Sequence, residues 1–545
     1  MPMTSIPPPE MREWLIAWSG TFLGATAVLI LLAAILNLDT IRQQVQLILP
    51  GRMIKVVPVI LLGGALATGF LAPQTHRIYY DETIYLSIGQ NLAHLNRAQT
   101  CHSGGDDYGR FRCDQGEYNK QPNGFPFLAS VVFRLFGTSE TAIFILNNLL
   151  LGGAALAVLF LAIPAGGSWL AGVFAALIVI LIPQNLHWYN TTAAEPSSAF
   201  FAAVTILAAF YYRQMKTPAA LTLLTTLTAF SIQFRPESLL LPLLLIPILG
   251  KSLLANPRAL LANLLLFFLL TLPLWLHFEL FHNHPWGSTG TPFSMEYFQA
   301  NLAVNGMHYL DNKEFPLLFS LLAVCGVIWP ASHHRERALL ALWFLLFWGV
   351  FLFFYAGSYH YGADMRYALL SALPLALLAG LGAEKIIQLL NQKSTIKLAT
   401  LVSLMAALLV VSLLPFLPTV RALTDEAWAA RADHRFAKQM GTLLPPESLV
   451  LTHNPNLFQL WGISAAQASL PQSDPAYVNR VLFARYRGGI FFHYNFWCNV
   501  ADPIQNKFCE QILDQYNHEQ IAEYHEKSYR YALYRLQPKK ENPPP

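Results

Sequence analysis

Long apolar runs separated by short polar turns fill the first 420 residues, and an ordinary mixture of polar and apolar positions follows. Twelve runs are predicted to span a bilayer: Trp14–Asn37, Val56–Ala72, Thr141–Ile163, Trp169–His187, Ser198–Tyr212, Pro218–Phe234, Leu239–Leu249, Leu260–Phe281, Phe315–Trp329, Ala338–Tyr355, Tyr367–Ala383 and Ile396–Leu417. Several are shorter than the roughly 20 residues of an ideal span, and prolines or polar ends soften their boundaries. A thirteenth run, Phe125–Phe136, is shorter still and carries Arg134, so it is expected to lie along the membrane interface. Thr4–Glu13 holds one Arg and three Pro with no small-residue cleavage site. The run after it is therefore expected to be a retained helix rather than a cleaved signal.

Positive residues set the expected orientation. Arg42, Arg52 and Lys55 flank one loop, Arg213 and Lys216 a second, and Lys251 and Arg258 a third. Arg335 and Arg337 lie in a fourth, and Lys385, Lys393 and Lys397 in a fifth. With Phe125–Phe136 kept out of the membrane, all five fall on one side, which the rule makes cytoplasmic. Both termini, the Pro73–Glu140 loop and the His282–Glu314 loop then lie outside.

Past Val420 the period changes. Asp425–Leu444 reads as a helix that Pro445-Pro446 ends, and Ser448–Thr452 as a short apolar strand. Pro475–Tyr486 and Asn506–Tyr516 read as helices, Gly489–Trp497 and Tyr529–Leu536 as strands. The predicted fold class is a polytopic α-helical membrane protein with a small extracytoplasmic α/β domain. Its expected parts are an N-terminal extra helix and loop (1–53), a membrane catalytic region with a large outer loop at 73–140 (54–418), and the soluble domain (419–545).

Composition strengthens this division. The chain is 54% hydrophobic and only 12% charged, about half the charge of ordinary globular proteins. Of its 66 charged residues, 25 fall within the 125 positions from Arg421 onward. A soluble enzyme, a nucleic-acid binder and a disordered scaffold are excluded, and a net charge of +4 implies no partner beyond the membrane.

Cys101 and Cys113 lie in the first outer loop, Cys498 and Cys509 in the C-terminal domain, and Cys325 within a helix. Two close pairs on the outer face suit two disulfides in an oxidising compartment. Four free thiols are the alternative, and a zinc knuckle does not fit the wide cysteine gap.

Candidate chemistry gathers at the outer ends of the spans, where ionisable groups are costly and usually functional. Asp81-Glu82 follows a helix end and opens the amphipathic stretch Tyr85–Leu95, which can lie on the bilayer. Adjacent carboxylates cannot face the same way. One can serve as a general base while the other holds the loop or touches substrate; a plain hydrated acid pair is the alternative. Tyr118, Lys120, Glu195, Arg235, Glu237, Arg366 and Tyr367 fall at the same rim. Lys120, Arg235 and Arg366 suit a phosphate or diphosphate, or simply snorkel to head groups. Asn190-Thr191-Thr192 is a glycosylation sequon too close to the membrane to be used. His277, His282 and His284 are candidate metal ligands with no acidic partner at fixed spacing.

These residues resemble the pattern of GT-C glycosyltransferases of the protein O-mannosyltransferase-like group, which includes the lipid A aminoarabinose transferases. Asp81-Glu82 opens the first large outer loop, and Tyr85 follows. Lys120-Gln121-Pro122 resembles the family's Lys-Pro-Pro segment, followed by Leu135-Phe136-Gly137. Glu195-Pro196 falls at the next outer junction, and Arg366-Tyr367 resembles the late Arg-Tyr segment. The resemblance covers Val56–Leu417. It departs at Gln121, which replaces a proline, and in the additional N-terminal helix.

The resemblance implies transfer of a sugar from a polyprenyl-phosphate donor to an acceptor hydroxyl of a glycan, lipid or protein, with inversion, at the outer face of the cytoplasmic membrane. Asp81 would be the base. Lys120, with Arg235 or Arg366, would stabilise the leaving phosphate. Tyr85, Tyr118 and Tyr367 would line the pocket, while Glu82, Glu195 and Glu237 would contact sugar, acceptor or their neighbours. No cofactor and no obligatory metal is expected. The competing reading is a lipid or sugar transporter, which would place charges at mid-membrane and often carry repeats; here the charges keep to one rim.

Overall fold

The computed structural model of the chain describes residues 9–48, 51–78, 80–107, 109–282, 291–329, 333–360, 365–393, 395–500 and 504–539. They form two compact units. One comprises residues 1–74, 120–125 and 143–422; the other comprises 75–119, 126–142 and 423–545. This differs from the expected division at 418/419, because most of the first outer loop belongs with the C-terminal segment.

The first unit is helical. Helices cover all twelve apolar runs. Six of the described helices are long and apolar enough to cross a membrane: Pro9–Leu36, Glu140–Ala162, Pro236–Leu254, Pro257–Phe281, Met365–Lys393 and Leu398–Arg421. Local signals set their ends. Thr217 and Asn256 accept hydrogen bonds from Ala220 and Ala259 N–H, and each precedes a proline whose fixed φ suits the first turn. Large apolar side chains face outward, with Phe70 80% and Leu265 65% exposed. In water such a surface would be a liability; against lipid tails it is the natural solvent-facing side. The chain is a polytopic helical membrane protein.

Contacts in this unit sort by side. Arg213 pairs with Glu336 at 2.6 Å, Tyr212 donates to Ser252 O, and Arg335 donates to Pro247 O. All these residues flank loops expected on one face. On the opposite face, Asn190 donates to Ala72 O and Arg235 pairs with Glu195.

Small residues allow the helices to approach closely. A Cβ on Gly326 would stand 2.0 Å from Leu378 O, and one on Gly382 2.0 Å from Leu322 O. Backbone on either side cannot yield as a flexible side chain would. Gly382→Val is therefore expected to destabilise this helix pair by at least about 1–3 kcal/mol. A lowered Tm and a broadened size-exclusion profile in detergent would show it, and an unchanged Tm would refute the close approach.

The second unit is built on a seven-stranded mixed sheet. Its strands are β1 (Thr100–Asp107), β2 (Arg110–Glu117), β3 (Ser448–Thr452), β4 (Ser464–Gln467), β5 (Gly489–Tyr494), β6 (Tyr516–Glu526) and β7 (Tyr529–Pro538), in the order β2-β1-β4-β3-β5-β7-β6. β3 runs parallel to β4 and β5, with Val450 opposite both Ala465 and Phe491. It is buried along its whole length, as a near-continuous apolar strand at a parallel centre should be. The edges carry the charge: β2 has Arg110, Arg112, Asp114 and Glu117, and β6 is largely exposed and polar, which discourages edge-to-edge pairing. Leu449, Leu451, Ile490, Phe492 and Tyr534 pack one face; Phe436, Phe491, Tyr531 and Leu533 pack another cluster beneath the Asp425–Gly441 helix.

Of the expected C-terminal elements, the Asp425 helix, β3, β5, β7 and the Gln505–Gln515 helix are present. The expected Pro475–Tyr486 helix is present as one continuous helical run over 475–485, with a π turn at Val478–Leu482 in its middle. The Tyr85–Leu95 stretch is not a one-sided helix on a bilayer. It belongs to the Asp81–Leu95 helix, whose positions from Glu82 to Leu92 are nearly all buried. Gln90 donates to Gln459 O, Thr83 bonds Asn454, and Gly89 lies against Ala129.

Cys101–Cys113 and Cys498–Cys509 are disulfide-bonded, and Cys325 is free. The bonds close short loops, worth about 3 kcal/mol each in the chain-entropy account. Cys498→Ser/Cys509→Ser should lower the free energy of unfolding by about 3 kcal/mol and with it the midpoint; non-reducing peptide mapping that finds all four thiols free would remove the basis for this expectation.

Candidate functional site

Asp81 and Glu82 occupy the first turn of the Asp81–Leu95 helix, entered through Tyr80 at φ 73°. Non-glycine residues rarely adopt that conformation, so the chain turns sharply here. Glu82 is fully buried. One oxygen accepts from Arg77 N–H at 2.6 Å and Ile78 N–H at 3.1 Å, and the other meets His76 Nδ1 at 3.0 Å. Burial opposes its ionisation, but the hydrogen bond from His76 and the two backbone donors outweigh burial and hold the carboxyl below its usual range. Glu82 is thus the carboxylate that holds the loop, and its burial does not suit the expected contact with sugar or acceptor. Asp81 beside it is partly exposed. Tyr85, expected in a pocket wall, is only 1% exposed and sits inside the packing of its helix. Tyr118, from the same unit, is also buried.

Sequence reasoning missed what lies behind Glu82. His76 Nε2 stands 3.3 Å from Glu140 Oε2. His434 Nε2 meets the same carboxylate at 2.9 and 3.0 Å, and Trp461 Nε1 donates to its Oε1 at 3.3 Å. Burial pulls the His76 imidazole down, but hydrogen bonds to Glu140 and Glu82 reverse this and raise it to about 10. No motif announces this cluster: Glu140 is 64 positions from His76 and 294 from His434. The only available signal was a histidine just before an acidic pair.

In the membrane unit the structure brings together five of the expected residues. Arg235, which starts the Pro236–Leu239 turn, places Nη1 3.0 Å from Glu195 Oε1 and Nε 3.0 Å from Glu237 Oε1. Arg366 Nε is 3.6 Å from Glu195 Oε1, and its Nη2 donates to the Tyr367 hydroxyl at 3.2 Å. Both guanidinium groups lie over the Tyr367 ring, at 6.0 and 5.1 Å, and that ring stacks on Phe351 at 4.3 Å. Glu195 opens the Glu195–Met215 helix, is 1% exposed, and joins two cations. It therefore organises the arginines rather than offering a free face to a sugar. Arg235 lies 3.0 Å from each of two carboxylates, and Arg366 lies 3.6 Å from the one they share.

Lys120 also belongs to this unit, half-buried, with its backbone hydrogen-bonded to His277. That bond occupies one of the three histidines considered as metal ligands. His282 joins no metal-type group among the described residues, and His284 lies outside the described residues.

No family model and no curated protein sequence matches the chain. Solved structures do resemble it. ArnT from Cupriavidus metallidurans bound to undecaprenyl phosphate aligns with a TM-score of 0.54 at 14% identity, over 87% of this chain and 97% of that one. The Archaeoglobus fulgidus oligosaccharyltransferase in its apo form aligns at 0.50 and 10% identity, over 90% and 75%. The arabinofuranosyltransferase AftD from mycobacteria aligns at 0.50 and 13% identity, over 89% of this chain and 40% of its own length. At such identities the likeness is one of fold, and the chain has the fold of the GT-C membrane glycosyltransferases.

Proposed function

We propose that the protein is a membrane glycosyltransferase that moves a sugar from a polyprenyl-phosphate donor to an acceptor hydroxyl, at the extracytoplasmic face of a cytoplasmic membrane. The observation that carries this reading is the pair Arg235–Arg366, the first buried and the second partly buried, gathered around Glu195 and Tyr367 in a GT-C-type helical unit. Such a pair is costly to bury and suits an anion that must be bound and released. ArnT, one of the fold's solved examples, holds undecaprenyl phosphate, which supports a lipid phosphate as that anion.

Each residue has a role in this reading. Asp81, the acid left partly exposed once Glu82 is locked inward, takes the proton of the acceptor hydroxyl. The hydroxyl oxygen attacks the anomeric carbon from the face opposite the lipid phosphate. The bond to the phosphate oxygen breaks, the configuration inverts, and the phosphate leaves as an anion. Arg366 and Lys120 stabilise the charge that grows on it, while Arg235 and Glu237 hold Arg366's neighbourhood in place through Glu195. Tyr367 supports the guanidinium planes.

The test is transfer of radiolabelled sugar from polyprenyl-phosphate donors to endogenous acceptors in membranes, paired with mass spectrometry of surface lipids and glycans from a deletion strain. One missing sugar, restored by the intact gene, is the expected result; an unchanged glycan and lipid profile with no transfer would overturn the reading.

A further inference from the structure

Two imidazoles and a carboxylate converge in the second unit with the geometry of metal ligands. Glu140 Oε2 is the shared atom, 3.3 Å from His76 Nε2 and 2.9 Å from His434 Nε2. A tetrahedral zinc ion with bonds of about 2.0–2.1 Å holds its ligand atoms about 3.3 Å apart. The three ligand atoms all lie within 4.8 Å of one another, so the spacing admits an ion among them with small side-chain shifts. We propose that His76, Glu140 and His434 bind one divalent transition-metal ion of the zinc type, with water in the fourth position.

Three further features fit that assignment. His76 directs its other nitrogen, Nδ1, at Glu82 Oε2. A carboxylate behind a ligating imidazole fixes its tautomer and raises its basicity, and metal-bound histidines nearly always have such a partner. Trp461 Nε1 holds Glu140 Oε1, which turns Oε2 toward the two imidazoles. His434 is a quarter exposed, which leaves a route for the ion and room for a water. Imidazole and carboxylate ligands favour zinc over magnesium or calcium, which prefer all-oxygen sites.

The ion would clip together three separate pieces of chain: the segment before Asp81, the start of the Glu140–Ala162 helix and the Asp425–Gly441 helix. Its role is structural, since Glu82 ties His76 to the turn that presents Asp81.

The experiment uses the full chain purified in detergent, stripped with chelator and titrated with zinc or cobalt. Elemental analysis should find about one zinc per chain, zinc should raise Tm, and cobalt should give the intense visible bands of a tetrahedral site. Glu82→Gln should weaken zinc about 10–100-fold, as loss of an outer carboxylate does, and His434→Ala should abolish the cobalt bands. If His434→Ala does not fold, His434→Cys decides: it keeps a zinc ligand and should add a sulfur-to-cobalt charge-transfer band. No retained zinc with no cobalt bands would overturn the site. So would unchanged stoichiometry in both His434→Ala and Glu140→Gln, which would place the ion elsewhere.

Discussion

Asp81→Asn is expected to reduce sugar transfer about 10²–10⁴-fold, the usual contribution of a positioned general base, or roughly 3–5 kcal/mol of barrier. Asparagine keeps the shape of the side chain but cannot take the acceptor's proton. Folding should be nearly unaffected, because Asp81 is partly exposed while the loop is held by Glu82. Glu82→Gln is expected to behave in the opposite way. It should lower Tm, since the buried side chain meets His76 and two backbone donors, with a smaller effect on transfer at matched protein levels. The split between the two variants is the decisive measurement. Near-normal transfer by Asp81→Asn would show that Asp81 is not the base.

The second large effect concerns Glu195. Glu195→Ala removes the carboxylate that lies 3.0 Å from Arg235 and 3.6 Å from Arg366. Breaking a buried pair on one side leaves charge uncompensated and typically costs 3–5 kcal/mol. Glu237 still faces Arg235 at 3.0 Å, so Arg235 keeps one carboxylate, while Arg366 loses the one it shares with Arg235. Glu195→Gln keeps the acceptor oxygen and should cost less. Thermal unfolding in detergent measures both; equal Tm for wild type and Glu195→Ala would refute the organising role. A saturating polyprenyl phosphate should recover part of the lost Tm in Glu195→Ala, because an anion would then replace the missing charge on the arginines.

Much of the membrane unit was legible in sequence because its physics is simple. A lipid-exposed helix must be apolar, so the six long apolar helices follow from composition. β3 was legible for a similar reason: Ser448–Thr452 is a short apolar run bounded by proline and a polar turn. The β1–β2 hairpin was not. Its strands are rich in Gly, Ser and Asp, and what holds them is a disulfide together with β4, far along the chain. β6 reads as polar because it is an exposed edge. Among the site residues, the Asp81-Glu82 pair was visible as two acids, but their division of labour was not. That division depends on His76 and on backbone donors whose direction only the turn at Tyr80 sets. His76, Glu140 and His434 share no local pattern, so their meeting could not be read before the fold was known.

The order of strands in the sheet bears on how the protein is made. β1 and β2 emerge from synthesis early, yet β1 pairs through Ser103 and Gly104 with Ala466 and Ala465 of β4. The rest of the membrane helices must be made before that partner appears. The hairpin must therefore wait with one edge unsatisfied, and its local Cys101–Cys113 bond can form during the wait. Closing so long a loop is slow even though its added entropic cost grows only logarithmically with length. It follows that a fragment cut at residue 423 would lack β1 and β2 and expose the edge of β4, so the soluble unit should aggregate when expressed alone. Co-expression with a 75–142 fragment should rescue it. A well-dispersed 423–545 fragment would show instead that the C-terminal strands complete themselves.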